Sequence, residues 1–478
     1  MSPIIRFGVN FVFASLFAPP STAIIKSFSE INEYKNFVLM LPLQINAALL
    51  LITRSSFKLF ITLICLFFTM KVNGIECISC KGRLLCGLTS CKILDSHKRK
   101  SKIFSEIKNN SFEGSSPPGL FVSWNNYPNV SIAPLSSPFF SQEIEFFDEP
   151  EKWFGFSSEK IIEMRESLIQ SGKKTDVFSA LNPSRELSEI QESVMAVSPL
   201  NVSVELNKIL SDKISFDFLS VPSGPKAELK KFSLNENPKI PKKVDYITSD
   251  TDLLSTKGLE ELYDSNVSVN SLQKILSAGL LGLKKKRKLV PTRWSITAVD
   301  DTISKKLIEK IKYFKETDFI QLFQANYLDN HFFVLLLPGS WSFEQLEAWK
   351  ADSVWVQGKE TKIMADFESF KGRKNYASDV SGAYYASRLA VTEFLFEKRR
   401  QSKVIVFREI GQEYSLSLGV WLIRETVRNA LKKKPLRFFD LDLALTYIGR
   451  KLETPINLFK RESKLLDSLN QKKISDYF

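Results

Sequence analysis

Histidine is almost missing: His97 and His331 are the only two in 478 residues. A Ser-His or Cys-His catalytic machine therefore has little to work with, and His331, opening an apolar run, reads as structural. Neither a Walker loop nor a G-x-G-x-x-G stretch occurs, so the usual glycine-rich phosphate cradles are absent. No internal repeat is visible. Cysteine is scarce too. There are five, and four fall between Cys77 and Cys91, which is not how a disulfide framework is spread through a chain of this size. Acids fall short of bases, 53 against 66, which leaves a net charge of +13 and a pI near 9.2. That balance favours a polyanionic partner, nucleic acid or a membrane surface, and says nothing about fold. A hydrophobic content of 44% is enough for a sizeable core, in two or three domains or one large domain with appendages.

Residues 1–69 differ from the rest. Charged residues thin out and apolar runs appear, VLMLPLQINAALLLI and then LFITLICLFFT. The second run is short for a membrane span, and the first is broken by Pro42, Gln44 and Asn46. The expectation is a misassigned start, with translation beginning at Met70. The alternative is a membrane or targeting segment.

The stretch CISCKGRLLCGLTSC places Cys77, Cys80, Cys86 and Cys91 in a C-x2-C-x5-C-x4-C pattern. Four thiolates complete a tetrahedral Zn²⁺ site with no position left for substrate, so the expected ion is structural. Gly82 and Gly87 follow cysteines where a chain wrapping a metal often needs positive φ. Two disulfides in so tight a loop are the competing reading. His97 belongs to the basic linker DSHKRKSK.

Beyond the linker, EGSSPPGLFVSWNNYPNVSIAPLSSPF has turn chemistry, as a surface loop system or the edge of a site. Helical spacing appears in SSEKIIEMRESLIQ, SRELSEIQESVMAV, NSLQKILSAGLLG, TISKKLIEKIKYF and SGAYYASRLAVTEFLFEKRR. NHFFVLLLP and KVIVFREI read as strands. The elements interleave without a βα repeat, which predicts a mixed α/β (α+β) core.

Three groups combine cations with aromatic rings. In KKKRKLVPTRWSITAVDD, Lys284, Lys285, Lys286, Arg287 and Lys288 lead to Arg293 and Trp294; lysines neutralise phosphates and an indole beside a guanidinium can stack on a base. A solvated lysine face, a core tryptophan, and Asp300 or Asp301 capping the helix that follows are the plainer reading. In GRKNYASDVSGAYYASR, Arg373 and Lys374 precede a helix carrying Tyr384 and Arg388 one turn apart. In LGVWLIRETVRNALKKK, Val420, Ile423, Val427 and Leu431 form a buried stripe, and Trp421, Arg424 and Arg428 line the stripe beside it. Either group could meet a nucleic acid or nucleotide, or pair with acids inside the fold. Asp300, Asp301, Asp366 and Glu368 would supply a two-metal nuclease site if they converge, or serve as caps and surface carboxylates.

These residues resemble the archaeal Nre family of DNA-repair proteins. The most specific block is LVPTRWSITAVDDT, preceded by LSAGLLGLKKKRK. The likeness continues through SSPPGLFVSWNNYPNVSIAPL, SGPKAELKKF, NPKIPKKV, SDTDLLS, GSWSFEQLEAW, GRKNYASDVSGAYYASRLAV and REIGQEYSLSLGVWLIRETVRNAL. The resemblance implies archaeal origin, a role in DNA-damage repair, a zinc-type cysteine cluster near the N-terminus and a clamp-binding C-terminal peptide. It brings no catalytic residues. In the family the cysteine cluster lies almost at the start of the protein, a departure that supports Met70 as the start.

The chain ends QKKISDYF, a pattern of peptides that bind the DNA sliding clamp (PCNA). A single 3₁₀-type turn would bring Ile474 and Tyr477 to one side, together with Phe478, for one apolar pocket, while Gln471 reaches a polar niche. Lys472 and Lys473 add attraction toward an acidic surface; Ser475 and Asp476 are spacers. The expected layout is a leader over 1–69, a four-cysteine zinc module over 70–97, a core over 98–465 and a flexible tail over 466–478. The expected function is a repair factor of the archaeal cytoplasm, nucleoid-associated, that docks on the clamp and contacts DNA without a membrane. A metal-dependent nuclease or nucleotide-processing enzyme is the alternative.

Overall fold

The computed structural model describes residues 80, 82–84, 91–210, 223–351, 356, 360–414 and 417–470. Cys77, Cys86, both apolar runs before residue 70 and the whole of QKKISDYF lie outside them. No helix among the described residues is long and apolar enough to cross a membrane.

In the first half, β1 (Ser111–Ser116), β2 (Leu120–Val122), β3 (Asn129–Ser136), β4 (Ile169–Asp176), β5 (Leu200–Leu210) and β6 (Lys226–Leu234) form one sheet in the order β1-β5-β6-β4-β3-β2. Its β4–β6 pair is parallel and the others are antiparallel. Period-two burial shows in β5, where Val202, Val204 and Leu206 point inward. The sheet curls until the Ser137 amide, just past β3, donates to the Ser115 carbonyl of β1 at 2.8 Å. A side chain at Gly114 would overlap the Ser137 carbonyl, so glycine permits that closure.

The helices of this half are α1 (Lys92–Ser105), α2 (Ser158–Glu166), α3 (Arg185–Met195), α4 (Lys242–Ser249), α5 (Ser255–Asp264) and α6 (Val269–Ser277). Ser157, Ser184 and Ser268 cap α2, α3 and α6 with their side chains. The stretch SSEKIIEMRESLIQ, expected as one helix, stops at Glu166 and enters β4 at Ile169. Leu168 and Ile169 fit a buried helix or a buried strand equally, and pairing with β3 decides between them.

The second half starts with α7 (Thr292–Ile311), followed by β7 (Lys315–Glu316), β8 (Ile320–Tyr327), β9 (Asn330–Leu337), β10 (Ser342–Trp349) and β11 (Lys362–Glu368). Then come α8 (Gly382–Lys398), β12 (Arg400–Gln401), β13 (Lys403–Ile410), α9 (Trp421–Leu431), β14 (Leu436–Phe438), α10 (Leu441–Lys451), α11 (Ile456–Glu462) and α12 (Lys464–Asn470). Six strands form a sheet in the order β11-β10-β13-β9-β8-β14, and β7 with β12 makes a separate short ribbon. Both faces of this sheet are covered. Phe332, Val334 and Leu336 of β9 join the core shared with α7, α8 and α9, while Phe333, Leu335 and Leu337 join a second core with α10, α11 and α12. That is why β9 reads as an unbroken apolar run. The mixed α/β core expected from sequence is present.

One boundary moves. Leu465 and Leu466 are buried on the second face, and α12 carries the docked core to Asn470, past the expected limit at 465. Glu344, buried in β10, holds the start of α12 by accepting from the Ser463 hydroxyl and from the amides of Lys464 and Leu465, at 2.8 and 3.2 Å for the latter two. Burial pushes its carboxyl up, against the pull of those three donors.

Candidate nucleic-acid interface

The chain reaches α7 through a tight loop. Gly279 has φ +72, and a side chain there would press on the Lys288 backbone, so the turn needs glycine. Arg287 faces inward, donating to the carbonyls of Gly282 at 2.9 Å and Asp250 at 2.6 Å, and burial lowers its pKa. The run of five cations is thereby split. Lys284, Lys285 and Lys286 form one exposed 3₁₀ turn, and Lys288 is exposed beyond the Arg287 anchor. The Leu289 amide then bonds the Val177 carbonyl at 2.9 Å, and Thr292 Oγ1 accepts from the Val122 amide at 2.8 Å. The first bond ties the loop to the end of β4, and the second ties the start of α7 to the β2–β3 hairpin.

Arg293 and Trp294 project from that junction beside the hairpin tip. Trp124 and Tyr127 belong to the tip, which is closed by the Asn129 amide on the Asn126 carbonyl at 2.8 Å and the Ser123 amide on the Ser131 carbonyl at 2.9 Å. Tyr127 and Trp294 have ring centroids 5.0 Å apart, the Arg293 guanidinium lies 5.8 Å from the Trp124 ring centre, and Lys288 Nζ is 3.5 Å from the Tyr127 hydroxyl. Exposures are 50% for Trp124, 44% for Trp294 and 39% for Tyr127. None of Lys284, Lys285, Lys286, Lys288 or Arg293 forms an ion pair with a carboxylate among the described residues. Three open rings and two uncompensated cations, Lys288 and Arg293, thus meet at one junction. Trp124 and Tyr127 were not among the residues singled out from sequence; two aromatics bracketing Asn-Asn in a turn, with no periodicity to bury them, were the available signal.

The other two basic groups are placed differently. Arg388 is buried and donates to Glu368 at 2.7 Å, to Asp301, and to Ser304 Oγ at 3.1 Å. Burial works against its charge, but Glu368, Tyr384 and Asp301 outweigh that and raise its pKa. Arg424 is buried and meets both oxygens of Asp300 at 2.9 Å, and Gln273 donates to the same carboxyl at 3.1 Å. Burial pushes the Asp300 carboxyl up, against the pull of Arg424 and Arg428. Arg428 grips Glu393 through two donors and Glu425 through a third. Tyr384 and Trp421 are core residues, and Trp421 packs edge-on against Trp153. Arg373 binds Asp366 at 2.8 Å and also the carbonyls of Phe367, Asn375 and Tyr376, which pins the loop before α8; Lys374 in that loop is exposed.

The four carboxylates therefore meet arginines. Asp300 pairs with Arg424, Asp301 and Glu368 share Arg388, and Asp366 takes Arg373 and the amides of Asp379 and Val380. Asp300 and Asp301 are not helix caps either, because α7 begins at Thr292 with Pro291 at its N-cap. Among the described residues no group of three or more His, Cys, Asp or Glu is placed to hold a metal ion.

Of the expected zinc ligands, Cys80 is buried and Cys91 is the N-cap of α1. The turn after Cys80 has Gly82 at φ +83, where a side chain would overlap Leu94 of α1. That turn is thus packed against the helix Cys91 opens.

Comparison with known proteins now bears on these observations. Residues 85–356 match the N-terminal part of archaeal Nre and residues 368–477 the C-terminal part. The chain belongs to the archaeal Nre family. It is 36% identical over 402 residues to DNA repair protein NreB of Archaeoglobus fulgidus, covering 84% of this chain and 100% of the relative. DNA repair protein NreA of the same organism is 40% identical over 381 residues, 80% of this chain and 94% of its own. NreA of Haloferax volcanii is 35% identical over 348 residues, 71% of this chain and 83% of its own. No solved structure matches the chain. Within this Nre chain, the PTRW block that carried the resemblance is the junction holding the open rings.

Proposed function

We propose that this protein is a DNA-repair factor that grips DNA with the face around Trp294 and docks on the sliding clamp (PCNA) with QKKISDYF. The observation that carries the reading is the contrast between cations: those beside the open rings have no carboxylate partner among the described residues, whereas Arg388, Arg424 and Arg428 are held in ion pairs. Exposed unpaired cations exchange counterions for phosphates, and that term dominates nucleic-acid affinity. The names of the Nre relatives support repair as the setting. Such a role puts the protein in the cytoplasm, at the nucleoid. The clamp motif follows α12, whose start is anchored by Glu344, so docking would leave the core beside the ring. The nuclease alternative through Asp300, Asp301, Asp366 and Glu368 draws no support from the geometry, since each is engaged by an arginine.

A structural Zn²⁺ on Cys77, Cys80, Cys86 and Cys91 belongs to the same proposal. The Cys80 turn packed on α1 suits a closed thiolate site, and the ion would fix that turn to the core.

One set of titrations tests the function. Replacing Lys284, Lys285, Lys286 and Lys288 by Gln should weaken DNA binding and flatten the slope of log affinity against log salt by about 0.9 for each phosphate no longer neutralised. Deleting residues 471–478 should abolish calorimetric binding to the clamp and leave DNA binding intact. An unchanged salt slope, or clamp binding that survives the deletion, would overturn the corresponding half.

A further inference from the structure

We infer that the face around Trp294 takes unpaired DNA bases, stacking them on Trp124 and Trp294 while Lys288 and Arg293 hold the adjoining phosphates. This rests on the proposed DNA contact and names the form of DNA. Large rings left open cost solvation, and here three of them gather at the joint of two separate elements, the β2–β3 hairpin tip and the first turn of α7. The joint is stiff: Thr292 fastens α7 to β2, and Ser123 closes the hairpin through its backbone amide and through its hydroxyl, which accepts from the Ser131 amide at 2.8 Å. Rings held this way keep their orientation without a ligand, so little ordering remains when one binds.

The chemistry selects the occupant. Within a duplex the faces of the bases are already stacked, and only edges and phosphates are presented to a protein. A flat indole gains from a base only where that face is free, in a single strand, a gap or a flipped nucleotide. The cations fit the same occupant. They flank the rings, lack carboxylate partners among the described residues and would meet a phosphate without first breaking an ion pair. An acidic peptide could satisfy the cations but would leave the ring faces unused.

The test uses the full chain with oligo-dT, an intact duplex, and the same duplex carrying a single-strand gap, followed by fluorescence anisotropy and by tryptophan quenching. The single strand and the gapped duplex should bind more tightly than the intact duplex and quench the protein's fluorescence. Trp124→Ala and Trp294→Ala should each weaken single-strand binding by roughly 5- to 150-fold, the range of one stacked base, and should leave the salt slope unchanged. Trp124→Phe should recover part of the loss, since a smaller ring still stacks. Both tryptophans are half exposed, so thermal melts should remain near wild type and a folding defect can be recognised. Equal binding of single strand by wild type and both alanine variants, or preference for intact duplex, overturns the inference. If the lysine variants still lower the salt slope in that case, DNA contact stands and only the stacking fails. No salt-dependent binding of any DNA would remove both.

Discussion

Asp300→Ala should destabilise this protein severely, and the cause would be the arginine left behind. Asp300 is fully buried, as is Arg424, and the two are joined by hydrogen bonds of 2.9 Å from Nη1 to both carboxylate oxygens, with Gln273 adding a third at 3.1 Å. Truncation leaves a guanidinium in the core whose remaining counter-charge is Glu425, 3.6 Å from Nε and without a hydrogen bond to it, and an amide that has lost its Asp300 acceptor. Breaking one side of a buried pair costs about 3–5 kcal/mol, against a whole-domain stability of about 5–15 kcal/mol. Replacing both partners with apolar groups of similar size, Asp300→Leu with Arg424→Met, removes the stranded charge and should recover most of that loss. Urea unfolding followed by circular dichroism would measure all three proteins. A single variant within about 1 kcal/mol of wild type, or a double variant no better than the single, would refute the ion-pair account. A cleavage activity that Asp300→Ala abolished with stability unchanged would instead favour the enzyme alternative.

Three more outcomes are expected. Gly224→Ala would drive a methyl group into the Leu168 carbonyl, so thermal melts should show a loss of about 1–3 kcal/mol or more; an unchanged midpoint would contradict the packing. Burial pushes the Tyr327 phenol up to about 12, against the pull of neighbouring backbone, while its hydroxyl donates to the Trp153 and Phe156 carbonyls. Because the folded value lies above the ordinary 10, stability from this group is complete below pH 10 and is lost as pH rises from there toward 12. Tyr327→Phe should start about 1 kcal/mol less stable near pH 8, from the missing hydrogen bond, and should fall less across that window. Parallel stability curves would contradict the assignment. Metal analysis should find about one zinc per chain, falling on Cys80→Ser or Cys91→Ser; a metal-free protein would remove the thiolate site.

Much of the second half could be read locally. β9 and β13 fall where NHFFVLLLP and KVIVFREI put them, since continuous apolar character is a short-range property. The start of α7 could not be found that way. Ser295 and Asp300 occupy buried positions in its first half, so the apolar stripe begins only at Val299, and the helix expected over TISKKLIEKIKYF starts about three turns late. Only when Arg424 is seen opposite does a buried aspartate make sense. The docking of α12 was hidden for a related reason: its apolar pair, Leu465 and Leu466, is flanked by charge, and the buried Glu344 that caps it comes from a strand more than a hundred residues earlier.

The amino-acid sequence alone determined the type of several elements, the Nre kinship, the excess of positive charge and the inventory of rings and cations. It did not determine the type of EGSSPPGLFVSWNNYPNVSIAPLSSPF, read as loops and folded into β1, β2 and β3. Which cations remain open was decided by the tertiary structure. Trp294 and Trp421 look alike on paper, each with an arginine close by. One has a ring 44% exposed beside an arginine that pairs with no carboxylate among the described residues, and the other is 5% exposed beside an arginine locked onto Asp300. Periodicity along a chain reports what a residue's own helix can bury. Whether a guanidinium finds a carboxylate depends on what distant segments bring to it, and that is settled only when the sheets and helices close around one another.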